Sequence, residues 1–424
     1  MKNKGEHFLK EVTHHIKSRE AREFVTAELA YHLKSAKNMW VQKGMSEEAA
    51  EGKAVDEMGS PVKLGQELNR VHKPKVDWVL IGLLVVAMGI GFLPILTLTY
   101  NVDGFLFNKF VIVLLGVGVA VGMMFVDYRK LEKFGLVFYS AGVLILLMLR
   151  YSPTDMVNGQ PFIVLGPLAI ESLMALPLFF LAWSSFLNNK KLKWWHVSVL
   201  YLLTLYLFFS LPGLSAVFIY IAMMFVMLWC SQLGKKSVLA ITAIPLSLLV
   251  TGGAFFWFAA SEYQRGRLSG FLNPKANSEG SGYIYLRLEE LLSSAKWFGS
   301  AGEQVFIPAA HTDLVFVSMT YHFGYVFAFF IVLVLALFAA RMLTISRGIQ
   351  HSFGTLLLAG GMALFIVPFI YNIAMILAML PITSISLPFI SYGVMPTVLN
   401  AFVMGIVLSV YRRKSLVGAG QRTV

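Results

Sequence analysis

Apolar and polar positions divide this chain into three zones. Over residues 1–75, charged side chains alternate with Phe8, Val12, Ile16, Phe24, Leu29 and Leu33 at helical spacing, the mark of amphipathic helices. Ser46 is placed to cap a helix, Gly59 to stop one, and Ser60-Pro61 to start the next. Three or four short helices are expected there. From residue 76 the pattern changes to long apolar runs, at about 77–98, 107–126, 132–149, 167–187, 195–211, 214–231, 237–260, 317–340, 354–379 and 390–411. Most approach the ~20 residues needed to cross a bilayer. The fifth and sixth are short and divide at Leu211-Pro212-Gly213. A polar island, 261–316, interrupts the series. Loops longer than about 12–15 residues are usually functional or disordered, and this one carries Gly280-Ser281-Gly282-Tyr283, His311-Thr312-Asp313 and charges of both signs.

Composition supports the membrane reading. Hydrophobic residues make up 57% of the chain and charged residues 14%, against about 25% charged in a soluble domain. The net charge of +12 fits basic cytoplasmic loops and does not call for nucleic acid. If residue 1 is cytoplasmic, the loops on that side are Arg129-Lys130, Lys190 to Lys193, Lys235-Lys236, Arg341 to Arg347 and Arg412-Arg413-Lys414. All are basic, as the positive-inside rule requires. Both termini are then expected inside and residues 261–316 outside. Trp78, Trp194, Trp195 and Tyr411 fall near span ends, as interfacial anchors do. The lone Cys230 reads as a buried inert thiol, and the first span as its own insertion signal, since no cleavable leader is legible. The expected fold is an all-α polytopic membrane protein of about ten helices, with a large extracytoplasmic loop between the seventh and eighth. The expected divisions are a cytoplasmic helical prefix (1–75), a membrane domain (76–413) and a cytoplasmic tail (414–424).

The outward loop offers cations at Arg265, Arg267, Lys275, Arg287 and Lys296, and carboxylates at Glu262, Glu279, Glu289, Glu290, Glu303 and Asp313. Mixed charge with glycine at a lipid–water boundary suits an amphiphilic ligand bearing phosphates and sugars, and arginine suits phosphate through its planar fork. Gly280 and Gly282 flank Ser281 where a backbone could approach a ligand closely. A solvated loop with no ligand is the bland alternative, and Asp313 can equally serve a helix dipole. No Cys/His cluster has zinc spacing, and no Ser-His-Asp set is linked by a recognisable pattern. Near the C-terminus, Leu387-Pro388-Phe389-Ile390-Ser391-Tyr392-Gly393 breaks the helix between two apolar spans. Broken backbone at membrane depth must be buried or line a cavity, so Ser391 and Tyr392 are expected at the outward cavity.

The ordered set FLNPKANSEGSGY, IPAAHTDLVF and LPFISYG resembles the SEDS family, the RodA, FtsW and SpoVE proteins of shape, elongation, division and sporulation. The segment Asn158 to Gly166 is similar to that family's N-G-A-x-R-W-I-x-L-G loop. The likeness covers about residues 77–413. Residues 1–75 lie outside it and resemble the small helical prefix of various bacterial permease-like and sensor proteins, which implies a regulatory or docking module. The SEDS resemblance implies a peptidoglycan glycosyltransferase in the bacterial cytoplasmic membrane that polymerises lipid II at the outer face beside a class B penicillin-binding protein. It further implies a loop carboxylate as general base; together with the physical reading of the loop, the expected substrate contacts are Arg265, Arg267, Lys275, Gly280, Ser281, Gly282, Tyr283, His311, Thr312, Ser391 and Tyr392.

The departures bear on activity. The family's D-P becomes Asn277-Ser278, which puts an amide where the base is expected. Glu279 is the nearest replacement, with Asp313 and Glu289 behind it. E-E-L-G becomes Tyr321-His322-Phe323-Gly324, P-D-x-G-T becomes Pro212-Gly213-Leu214-Ser215, Q-P-S-E is not recoverable around Glu171-Ser172, and the arginine of R-W-I is missing. Three readings stay open: a polymerase with a displaced base, a catalytically degenerate SEDS-like regulator or scaffold, and a flippase of lipid-linked precursor. No cofactor is legible; a divalent cation stays open.

Overall fold

The computed structural model describes residues 4–96, 104–157, 160–165, 168–244, 247, 262–299 and 305–416. Glu303, Asn158, Gly159, Gly166 and most of the seventh apolar run lie outside the described residues. The chain divides into two compact units, one holding residues up to Asp77 and from Val410, the other Trp78–Ser409.

The first unit has four helices: α1 (Lys4–His14), α2 (Arg19–Gln42), α3 (Glu47–Glu57) and α4 (Pro61–Val71). Ser46 and Ser60 precede α3 and α4, Pro61 opens α4, and Gly59 between them has φ +76°. The helical stripe closes into a core of Phe8, Val12, Ile16, Val25, Leu29 and Leu33. Phe24 stays at the edge of that core, its ring 5.2 Å from His72. Leu416, from the other end of the chain, is fully buried in the same core. Two hydrogen bonds to the backbone of the chain's end fix it there: Lys75 N donates to Arg412 O at 3.2 Å, and His72 Nδ1 lies 2.8 Å from Ser415 O. Glu20 binds the Arg413 guanidinium at 2.7 Å and Arg412 at 3.4 Å.

The second unit is a helical membrane bundle. Its helices include α5 (Trp78–Ile90), α6 (Phe105–Phe125), α7 (Gly135–Tyr151), α8 (Ala175–Asn188), α9 (Trp194–Phe209), α10 (Leu214–Trp229), α11 (Glu262–Leu272), α12 (Tyr283–Ser294), α13 (Val315–Phe323), α14 (Tyr325–Ser346), α15 (Ser352–Ile376) and α16 (Val394–Arg412). Among the described residues, six helical stretches are long and apolar enough to cross a membrane, and three apolar helices are shorter. Helices α8 and α15 pack against each other, with Leu176, Phe179, Phe180 and Trp183 of the first and Leu357, Ala359 and Phe365 of the second in the buried interior. The Trp183 indole donates to Tyr220 Oη at 3.0 Å, so this aromatic core leaves its N–H satisfied. Trp78, Trp194 and Trp195 open their helices and are exposed.

Three boundaries differ from the apolar runs. The run 167–187 opens as a strand: β1 (Asp155–Val157), β2 (Gln160–Leu165) and β3 (Leu168–Ile170) form an antiparallel meander, with Leu165 facing Leu168. That register leaves two residues, Gly166 and Pro167, between β2 and β3. The run 317–340 is split at Gly324, whose φ of +89° ends α13 and restarts the chain as α14. The last run loses residues 390–393 to the Pro-Gly break, and α16 starts at Val394.

Candidate functional site

The bundle brings His311-Thr312-Asp313 and the Leu387–Gly393 segment together. Neither motif is helical. The first lies in the turn at 308–314, before α13; the second follows the end of α15. Each supplies the other's missing backbone partners. Tyr392 N donates to His311 O at 2.7 Å, and Ser391 Oγ donates to Thr312 O at 2.7 Å while accepting from Leu387 N at 2.8 Å. From α15, the fully buried Asn372 donates both amide hydrogens, to Asp313 O at 2.8 Å and Ile385 O at 2.6 Å. From α6, Phe105 stacks on Tyr392 at 4.7 Å and meets the His311 ring edge-on at 6.2 Å. One turn along the same face, Lys109 is fully buried and donates Nζ to Ser391 O at 3.0 Å and Ile390 O at 3.4 Å. The non-helical carbonyls are thus satisfied internally, as irregular backbone inside a membrane protein requires. Ala309, Ala378 and Phe389 have φ of 49°, 54° and 63°. They are the positive-φ non-glycine residues of the described chain, and two of them lie within these motifs' turns. Left-handed backbone at non-glycine residues costs free energy and concentrates at functional sites.

Two carboxylates gather here. Burial pushes Asp313 up to about 6. Glu171, between β3 and α8, is pushed up to about 7, first by burial and then by the nearby charge of Asp313. Burial lowers His311, so its ring favours the neutral form. The pair can hold one proton between them near neutrality, an arrangement suited to acid–base work. Glu171 was not a sequence candidate, because no Q-P-S-E surrounds it. Its signal was being the lone ionisable group of the 160–187 stretch; Lys109 gave the same signal in its own apolar run.

The Asn277 loop is a separate local structure. A 3-10 turn (Lys275–Asn277) joins α11 to α12. Asn277 is half-buried, and its Nδ2 donates to Ser269 Oγ at 3.0 Å and Asn273 O at 3.1 Å. Its backbone O accepts from both Gly280 N and Gly282 N at 3.0 Å. A Cβ at Gly282 would lie 2.3 Å from Pro274 O, so the close approach that glycine permits here is to the loop's own backbone. Ser281 Oγ donates to Gly266 O, which ties the turn to α11. Arg265, Arg267, Lys275, Glu279 and Tyr283 are exposed. Through Tyr285 Oη, which accepts from Ile382 N at 3.0 Å, α12 is joined to the segment leading into Leu387–Gly393. Among the described residues no three His, Cys, Asp or Glu side chains gather to hold a metal ion. A cavity of about 960 Å³ reaches Ile385 and has an almost wholly apolar lining, including Phe209, Phe218, Phe225 and Trp229.

Comparison with known proteins follows the same division. The model of the FtsW, RodA and SpoVE family, described as cell cycle protein, matches residues 75–416. A probable peptidoglycan glycosyltransferase FtsW of Aromatoleum aromaticum is 23% identical over 384 residues, covering 84% of this chain and 91% of that one. The peptidoglycan glycosyltransferase MrdB of Escherichia coli is 27% identical over 191 residues, 43% of this chain. That alignment spans 49% of the relative, so the chain matches about half the length of several curated relatives. Among solved structures, a peptidoglycan synthase complex matches with a TM-score of 0.69 at 24% identity, covering 80% of this chain and 98% of that one. The Thermus thermophilus rod shape determining protein RodA matches with a TM-score of 0.60 at 21% identity, covering 80% and 97%.

Proposed function

The chain belongs to the FtsW, RodA and SpoVE family of cell cycle proteins, and from that premise we propose that it polymerises lipid II at the outer face of the bacterial cytoplasmic membrane. The observation that carries this reading is the half-buried carboxylate pair: Asp313, in a motif bonded to the Leu387–Gly393 segment, and Glu171, whose proton affinity the charge of Asp313 raises. In this reading Asp313, rather than the exposed Glu279, takes the proton from the acceptor sugar hydroxyl as that oxygen attacks the donor's anomeric carbon. The bond from that carbon to the pyrophosphate oxygen breaks, and the lipid pyrophosphate leaves with the electron pair. Glu171 receives or shares the proton. Arg265, Arg267 and Lys275 supply cations for the phosphates. Both termini are cytoplasmic in this proposal, which rests on the basic loops, and a class B penicillin-binding protein is the partner that crosslinks.

The test is lipid II polymerisation by the purified full chain, alone and with a co-expressed class B penicillin-binding protein. Asp313→Asn is expected to lower the rate by about 10²–10⁴, the usual worth of a positioned base. Clear wild-type turnover that survives Asp313→Asn sinks this assignment. A second reading, a non-catalytic regulator, is favoured by one observation: at position 277 an amide holds the loop together where the family has a carboxylate. Lipid II binding without turnover, in both the wild type and Asn277→Asp, would select that reading.

A further inference from the structure

The segment Lys296-Trp297-Phe298 leaves two large aromatic side chains in the open, Trp297 72% exposed and Phe298 76%. Its backbone does something specific. Tyr325 N donates to Lys296 O at 3.0 Å and Val326 N donates to Trp297 O at 3.2 Å. These are the first two residues of α14, one of the helices long and apolar enough to cross a membrane. The first-turn N–H groups of a helix have no partner inside it, and the carbonyls of Lys296 and Trp297 supply two of those partners. The segment is therefore the cap of a membrane helix. Gly324 makes the approach feasible: its φ is +89°, and a Cβ there would lie 2.6 Å from Trp297 O.

That capping fixes the height of the two aromatics at the level where α14 begins. The Trp297 ring lies 5.8 Å from the Tyr325 ring. One turn further, on the face of Tyr325, Phe329 is 68% exposed, and Val326 and Phe330 are exposed beside it. The open aromatics thus continue the lipid-facing side of a membrane helix. We propose that Trp297 and Phe298 insert into the headgroup–acyl boundary of the bilayer, with Lys296 at the phosphates. Aromatic rings with a polar edge and long cationic side chains favour that layer. The occupant is the phospholipid surface, by continuity with α14. The consequence reaches the loop that carries Asn277. Helix α12 ends at Ser294, two residues before Lys296, and Tyr325 Oη donates to Leu292 O. An anchor at 297–298 therefore sets the height of α12, and with it the Gly280–Tyr283 turn at its other end. This inference goes beyond the proposed catalytic reading and does not depend on turnover.

The test uses the full chain on a Cys230→Ser background, reconstituted in phosphatidylethanolamine and phosphatidylglycerol vesicles. A nitroxide at Phe298→Cys is compared with one at Ser278→Cys by power saturation against oxygen and a water-soluble nickel chelate. The expected oxygen-to-chelate ratio is several-fold higher at 298 than at 278; equal ratios overturn the proposal. Because a label can displace the segment, Trp297→Phe supplies an unlabelled check. The tryptophan emission it removes should be quenched by lipid brominated high on the acyl chain, and removal of a component quenched by aqueous iodide instead counts against insertion. If adding a class B penicillin-binding protein shields the 298 label from both reagents, the surface belongs to a protein partner and the lipid assignment falls.

Discussion

A carboxylate held among apolar groups keeps its proton longer than one in water, and Glu171 and Asp313 both do so. Their ordinary values, 4.5 and 3.8, rise to about 7 and about 6. The sign of the linked effect on stability follows. Between the ordinary and the raised values the folded chain holds protons that the unfolded chain has released, so stability falls as pH rises. The contribution is full below about pH 4 and lost above about pH 7. Glu171→Gln removes that residue's share, including its coupling to Asp313. The variant should show a flatter melting temperature in detergent from about pH 5 to about pH 8, and at the alkaline end a gain on the order of 2 kcal/mol, discounted for partial exposure. An unchanged slope in the variant would mean that Glu171 is not the group responsible. At this scale the sequence exposed His311, Thr312, Asp313, Ser391 and Tyr392 through their motifs, and these are the residues the fold gathers. It missed Glu171 because the partner that gives Glu171 its meaning, Asp313, is 142 positions away. It favoured Glu279 on proximity to Asn277, and in the structure that side chain is exposed.

Elements carry the next layer. Helix α6 presents Phe105, Lys109, Ile112, Gly116 and Ala120 as one buried stripe at helical spacing, and a lysine belongs on such a stripe only if its charge is met. Two carbonyls of the broken segment meet it. Lys109→Met keeps the length and loses the donor. Two effects then oppose each other: a buried cation disappears, which favours the fold, and two carbonyls lose a partner, which costs about 1–3 kcal/mol for each group left unsatisfied. Global melting should therefore move little, while hydrogen exchange at the Ser391 amide, bonded to Leu387 O, should quicken by about tenfold or more, the equivalent of ~1.4 kcal/mol. Unchanged exchange there would show that Lys109 does not hold the break. Hydropathy read the helices well where one apolar run made one helix, as at 352–376. It failed where a backbone conformation decided the boundary. Gly324 divides an uninterrupted apolar run because its positive φ lets the chain turn onto Trp297 O, and no average over side chains reports that. The β1–β3 meander was hidden likewise, since apolar residues of 162–170 count the same toward a span whether they pair as strands or wind as a helix.

At the scale of the whole molecule, the composition change near residue 75 was legible, and the company the chain's end keeps was not. A basic tail, Arg412-Arg413-Lys414, reads in sequence as an inside-facing anchor. In the structure Leu416 lies in the core of α1–α4 and Arg413, 1% exposed, meets Glu20. Those contacts join residues nearly four hundred positions apart, so no local pattern announces them. They also mean that the first 75 residues and the last described turn fold as one unit. Glu20 is the carboxylate on which both arginines converge, at 2.7 and 3.4 Å. Breaking a fully buried ion pair costs about 3–5 kcal/mol. Glu20 retains partial exposure, so water recovers part of that, and a loss of about 1–2 kcal/mol is the reasonable scale. Glu20→Gln keeps the size and removes the charge. The expected result is exchange about tenfold faster at the Leu416 amide, which donates to Arg413 O at 2.9 Å, and earlier cleavage by protease in the α2–α3 turn around Gly44. The Ser391 amide, in the other unit, should exchange as in the wild type, which separates loosening of this unit from general destabilisation. If Glu20→Gln leaves the Leu416 amide as protected as before, the ion pair is incidental, and the apolar contact of Leu416 with the bonds from Lys75 and His72 holds the chain's end in place.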